Sequence, residues 1–285
     1  MNGNILLSGL CFGEGPRYYK GELWLSDMHA QEVLKINSAG DKEVVVRIPD
    51  DQPSGLGWLP NGDLLIVAMT KQQLLKYDGE KLSVYADLSD VASWYCNDMV
   101  VDAVGRVYVG NFGFDIHNAA PQSPAELILV DTNGRVSVED REVIFPNGTV
   151  ITPDGKTLIV GETFASRLSA FDIAEDGGLS NRRLWATLPD RAVPDGICLD
   201  VEGGIWSASP TTNECIRQIE GGEVTHRIEL ERSAFACMIG ADKLYVLTAT
   251  TSEPDKCRAR RDGRVEVFPA PYAAAGWPAS SNADA

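Results

Sequence analysis

Histidine is scarce: there are three in 285 residues, His29, His117 and His226, too few and too scattered for a histidine-built zinc or iron centre. Paired cysteines are missing as well. The six, at positions 11, 96, 198, 215, 237 and 257, form no CxxC, and a chain of this length needs no covalent staples, so reduced thiols in a cytoplasmic protein are expected. No apolar run approaches the roughly 18–20 residues of a membrane helix. The first ten residues lack a basic segment and an apolar core, so no signal peptide is read there. Basic residues are outnumbered, 25 against 41 acidic, giving a formal net charge of −16. Such a surface repels nucleic acid and anionic membranes and leaves small molecules and cations as partners. The chain has no GxSxG elbow, no phosphate-binding GxxxxGK[ST] loop and no HExxH helix, which removes the commonest serine-hydrolase, nucleotide and metalloprotease chemistries.

What the chain does contain is a repeat. Six short apolar runs each follow a turn residue: Gly21 before Glu22–Asp27, Gly62 before Asp63–Val67, Gly105 before Arg106–Asn111, Gly155 before Lys156–Val160, Gly203 before Gly204–Ala208, and Asp242 before Lys243–Thr248. A second series lies between them, at 32–37, 73–78, 126–131, 167–172, 215–220 and, more briefly, Cys257–Arg260; further strands such as Glu43–Arg47 and Arg264–Phe268 follow. Four strands in each of six units of ~40–50 residues describe an all-β, six-bladed propeller filling the chain as one domain. A β-sandwich or barrel also has short strands, but not two parallel series in register. Asn4–Leu10 is placed to pair with the last blade and close the ring, and the chain from about Ala273 reads as a tail or a packing strap.

The first strand of each blade lines the channel. Reading back from the turns aligns Glu14-Gly15, Ser54-Gly55, Asn97-Asp98, Asn147-Gly148, Asp195-Gly196 and Phe235-Ala236. Rotation about the axis gathers these positions at one mouth. The ring then holds two carboxylates, two amides and a hydroxyl, with no basic residue. Paired carboxylates repel unless a proton or cation intervenes. An oxygen-only donor set suits a hard divalent cation, Ca²⁺ first, with Mg²⁺, Mn²⁺ or Zn²⁺ behind. The competing reading is a merely solvated channel mouth. The second strands return to the same mouth, which makes Asn111 and Glu162 candidate substrate contacts, against a competing role in bonding their own loops.

These stretches resemble the senescence marker protein/regucalcin–gluconolactonase family. The matching residues are Gly13–Pro16 with Trp24–Asp27, Pro53–Trp58, Asn97-Asp98 with Asp102, Phe145–Gly148, Pro194–Ile197 with Trp206, Phe235–Met238 and Gly263–Phe268, in order along nearly the whole chain. The resemblance implies one divalent cation over the channel, held by Glu14, Asn147 and Asp195, with Asn97 as a further ligand or a substrate contact. It also implies lactone hydrolysis with Asp195 as general base. Animal members carry an arginine two residues before the asparagine that corresponds to Asn97; Tyr95 stands there, flanked by Trp94, and Phe112 and Phe114 follow Asn111. If Tyr95, Trp94 and Phe112 line the pocket, it is flatter and less polar than a polyol site, and an aromatic or aliphatic lactone is expected over a sugar lactone. Rival readings are phosphotriester hydrolysis on the same cation, a non-catalytic calcium-binding propeller, and a metal-free propeller enzyme. His29, beside Asp27, is expected to be a solvated loop residue.

Overall fold

The protein is described here from a computed structural model covering residues 3–278. These residues form six four-stranded antiparallel sheets arranged as the blades of a propeller. Blade I comprises Gly13–Tyr19, Glu22–Asp27, Glu32–Ile36 and Lys42–Arg47; blade II, Pro53–Trp58, Leu64–Ala68, Gln73–Tyr77 and Leu82–Asp87. Blade III comprises Cys96–Val101, Val107–Asn111, Ala125–Val130 and Val136–Val143; blade IV, Pro146–Ile151, Thr157–Glu162, Arg167–Ile173 and Leu179–Thr187. Blade V comprises Ile197–Leu199, Ile205–Ser209, Glu214–Gln218 and Val224–Glu229. Blade VI takes Ser233–Gly240, Lys243–Ala249 and Gly263–Pro269 from the end of the chain and Asn4–Leu10 from its start.

Burial falls from axis to rim. Cys96–Val101 is buried at every position, whereas Lys42–Arg47 has no fully buried residue. Apolar side chains fill the spaces between adjacent blades, as Val150, Ile159 and Leu168 of blade IV do against Ile197, Ile205 and Ile216 of blade V. Each innermost strand packs on the next, and that of blade VI packs on that of blade I, so the ring is continuous. Asn4–Leu10 closes it antiparallel to Gly263–Pro269, from Asn4 opposite Val267 to Leu10 opposite Gly263.

Two local outcomes depart from or sharpen the sequence reading. Cys257–Arg260, expected as a strand, lies in an α-helix, Pro254–Arg260. Proline opens the helix where its missing N–H costs nothing, and the run that follows has no β-branched residue. Asp255 and Arg258 pair across one turn at 2.7 Å. The third strand of blade VI is therefore Gly263–Pro269, which leaves the outer place to the N-terminal strand. The segment from Ala273 is a strap: Ala274 bridges Asp200, and Trp277 bridges Ile151, on the face opposite the ring of strand starts. The part of the expected tail from 279 to 285 lies outside the described residues.

The glycines after the ring residues answer to crowding at the axis. A Cβ on Gly148 would stand 2.3 Å from the Ile197 amide nitrogen, and one on Gly15, which also has φ +53°, 2.5 Å from the Ser54 carbonyl oxygen. Five of the six innermost strands also break register at these positions, between Glu14 and Arg17, Pro53 and Leu56, Cys96 and Met99, Pro146 and Thr149, and Ala234 and Ala236. Such bulges bend a strand and re-aim its side chains, here at the mouth of the channel.

Leu10 is fully buried and Ile5, on the same closing strand, is 54 % exposed. Leu10→Ala should therefore cost about 2–5 kcal/mol in denaturant unfolding, and Ile5→Ala less than about 0.5 kcal/mol. Equal effects would contradict closure of the ring by this strand.

Candidate metal centre and active site

Glu14, Asn97, Asn147 and Asp195, drawn from four blades, line one cavity of about 220 Å³. Asp195 is positioned by its backbone: its N–H donates to the Ala208 carbonyl at 2.9 Å, and its own carbonyl accepts the Gly148 N–H at 3.1 Å. The Asn147 amide donates to Asp195 Oδ1 at 2.6 Å and to Thr163 Oγ1 at 3.2 Å; the Thr163 hydroxyl in turn donates to the Pro194 carbonyl at 2.8 Å. The Asn97 amide donates to the Pro146 carbonyl at 3.3 Å. With their nitrogens committed, the two amide oxygens accept nothing from the described residues. Glu14 accepts only the adjacent Gly15 N–H, at 3.2 Å.

Burial leaves three of the described carboxyls raised, this pair and Asp27, and the rise of Asp27 is opposed by bonds from the Phe12 and Cys11 N–H groups. Burial, then the charges of Asp195 and Asp98, push the Glu14 carboxyl well above its ordinary range. Burial raises Asp195 to about 8, Asp98 adds to the rise, and the Asn147 hydrogen bond opposes it. Beneath them Asp98 is neutralised by buried Arg17 at 2.6 Å, and Arg17 also donates to the Leu56 and Met99 carbonyls. Neither Glu14 nor Asp195 has an Arg, Lys or His partner among the described residues. Among these residues no cluster of three or more His, Cys, Asp or Glu side chains exists, so the donor set is a mixed one: two carboxylates and two unclaimed amide oxygens. That set fits a divalent cation with oxygen preference, which would relieve the repulsion that otherwise requires protons.

Asn111 and Glu162, expected as substrate contacts, do not line the cavity. Asn111 donates to the Glu126 carbonyl and carboxylate and accepts the Gly113 N–H. Glu162 is saturated by Arg167, Arg182, Ser169 and the Ile144 N–H, and these partners hold its carboxyl below the ordinary range against the cost of burial. Both satisfy loop donors where a strand ends. Ser54 is buried away from the cavity, its carbonyl taken by the Ser26 hydroxyl. Trp94 and Tyr95 stack on each other at 5.1 Å against the interior of blades II and III and also stay outside the cavity. Phe112 does line it, stacked on Phe145 at 4.5 Å. The pocket is thus aromatic, but through Phe12, Phe112, Phe145, Phe164 and Phe235 rather than through Trp94 and Tyr95.

His29 corrects another expectation. It is 6 % exposed, lines the cavity and stacks on Phe12 at 5.2 Å. Its Nε2 lies 3.1 Å from the Ser252 carbonyl, so Nε2 carries the proton and Nδ1 is a buried acceptor without a donor. Burial lowers its pKa to about 4, so the ring is neutral at pH 7. Thr163, His29 and the phenylalanines other than Phe112 were not among the expected site residues. Phe235 stands in the repeat alignment as a strand start; the sequence signal of the others is position just after a second strand or just before a first one.

The raised carboxyls carry a pH signature. In cation-free protein Glu14 and Asp195 retain protons that unfolded carboxyls, with pKa values near 4, have already lost. Stability is then present at low pH and is lost as pH rises towards the folded values. His29 has the opposite sense, with stability lost as pH falls from about 6.5 towards 4, and drops out above about pH 7. In chelator the melting temperature should fall between about pH 7 and 8.5, Ca²⁺ should raise it more at the higher pH, and Glu14→Gln should flatten both trends. A Ca²⁺ effect independent of pH would contradict the shared burial of the two carboxylates.

A family model described as the SMP-30/Gluconolactonase/LRE-like region matches residues 12–250. Regucalcin of Gallus gallus is 25% identical over 267 residues, covering 90% of this chain and 89% of that protein. Pentonolactonase XacC of Haloferax volcanii is 32% identical over 114 residues, covering 39% of this chain and 37% of that protein. The solved structure of a calcium-binding protein, regucalcin, from Agrobacterium tumefaciens str. C58 superposes with a TM-score of 0.78 at 22% identity, covering 96% of this chain and 95% of that one. The family match spans all four cavity-lining oxygen donors and most of the six blades, and the chain belongs to the SMP-30/gluconolactonase/LRE-like family.

Proposed function

We propose that the protein is a divalent-cation-dependent lactonase. The observation that carries this reading is the convergence of Glu14, Asn97, Asn147 and Asp195 on one cavity, with two buried carboxylates left without a positive partner. The family and the likeness to a pentonolactonase over part of the chain support the reaction class. A bound divalent cation, Ca²⁺ by the hardness of the oxygen donors, supplies polarisation of the lactone carbonyl and stabilisation of the oxyanion.

The remaining work falls to the chain. Glu14, Asp195 and the Asn97 and Asn147 amide oxygens would hold the cation, and Asn97 and Asn147 would orient the carbonyl. Asp195 is the general base: its carboxylate takes a proton from water as the water oxygen bonds to the carbonyl carbon. The same proton passes to the ring oxygen as the C–O bond breaks, giving the hydroxy acid. The 2.6 Å bond from Asn147 orients the Asp195 carboxylate for this transfer. The phenylalanine walls exclude bulk water, which strengthens the electrostatic contacts. At about 220 Å³ the cavity is smaller than the roughly 300–1,000 Å³ of ordinary ligand sites, and it suits a single small ring.

Stripped protein assayed on sugar, aromatic and aliphatic lactones should regain turnover on addition of Ca²⁺, Mg²⁺, Mn²⁺ or Zn²⁺. Asp195→Asn, at saturating cation, should lose about 10²–10⁴ in kcat. Wild-type kcat in that variant would refute the base assignment, and cation-dependent turnover of phosphotriesters alone would refute the lactone.

A further inference from the structure

Seven of the eight phenylalanines are buried or half-buried, and the exception, Phe164, is 43 % exposed at the rim of this cavity. Ile116, 38 % exposed, stands on the same rim. The two come from separate elements. Ile116 lies on the connection after Val107–Asn111 of blade III, and Phe164 on the short turn Thr163–Ala165 after Thr157–Glu162 of blade IV. Phe164 is held in place from behind, edge-on to Phe145 at 4.8 Å and beside Phe114 at 5.7 Å. Two large apolar side chains exposed on the rim of a cavity, with polar His117 beside one of them, offer cover to an apolar part of a ligand that leaves the cavity. The cavity is too small for more than a ring, and among the described residues no lysine or arginine lines it to hold an anionic group.

We infer that the site takes lactones whose ring carries an apolar substituent, alkyl or aryl, and that this substituent leaves the cavity across Phe164 and Ile116. The inference rests on the lactonase reading for its ring chemistry. Its shelf rests on the two exposed side chains and the aromatic backing of Phe164. Phe164 and Ile116 are then specificity residues: they touch the substituent and not the reacting atoms.

The test is a series of γ-lactones with alkyl chains of increasing length on the carbon next to the ring oxygen, assayed with cation-loaded protein. Each methylene fully covered by the shelf should raise kcat/KM by about fourfold. In the double variant Phe164→Ser, Ile116→Ser the rise with chain length should flatten, and Phe164→Leu should restore most of it. Calorimetric binding of 3-alkylcyclopentanones, in which a methylene replaces the ring oxygen and which cannot be hydrolysed, should follow the same pattern, with circular dichroism confirming that the variants are folded. A flat chain-length series in the wild type, or a slope that survives in the folded double variant, overturns the inference. Phe164-dependent ketone binding without turnover of any lactone overturns the lactonase reading instead and leaves the apolar shelf standing.

Discussion

The buried, unneutralised pair Glu14 and Asp195 is the constraint around which the channel mouth is built. The other deeply buried carboxylates among the described residues have a basic partner or several hydrogen-bond donors, though burial still raises Asp27. Asp98 has Arg17, Asp102 has Arg106, Asp200 has Arg217, Glu162 has two arginines, and Asp27 and Asp51 accept backbone N–H groups. A chain that pairs acids so often elsewhere leaves two without a basic partner in one cavity, beside two amide oxygens that accept nothing from the described residues. Burying like charges is costly, and the cost is tolerable where a proton or a divalent cation enters.

The scaffold around the pair serves to bring four distant chain segments to one point. Rotation of the blades supplies the convergence, bulges in the innermost strands turn the side chains inward, and glycines at 15, 55, 148 and 196 let neighbouring backbones meet at the axis. Beneath the mouth Arg17 ties blade I to the carbonyls of blades II and III and carries the Asp98 charge. Above it the walls are aromatic from both sides, with Phe12 and Phe235 on blades VI and I and Phe112, Phe145 and Phe164 on blades III and IV. The four oxygen donors and the phenylalanines thus face one cavity, which offers a ligand both polar contacts and apolar walls.

Much of this was legible in the amino-acid sequence because strand periodicity and turn spacing are local. The second-strand series, the closing role of Asn4–Leu10 and the meeting of Glu14, Asn97, Asn147 and Asp195 all follow from one alignment of repeats. The misses fall where the backbone leaves the repeat. The segment around Cys257 sits where the other blades carry their third strand, but a proline and helix-forming neighbours override that pattern. Asn111 and Glu162 have residue types suited to binding, yet each lies at a strand end where orphan loop N–H groups compete for its oxygens, and the loop wins. His29 and the phenylalanines other than Phe235, which the repeat alignment does place at the mouth, depend on the paths of short connections, which no periodic signal encodes.

Calorimetric titration of cation-stripped protein with Ca²⁺, in buffers of different ionisation enthalpy, tests the central claim most directly. The account predicts one site per chain, net release of protons on binding near pH 7, and loss of both in Glu14→Gln. Absence of saturable binding, or binding that releases no protons and survives in Glu14→Gln, would contradict it.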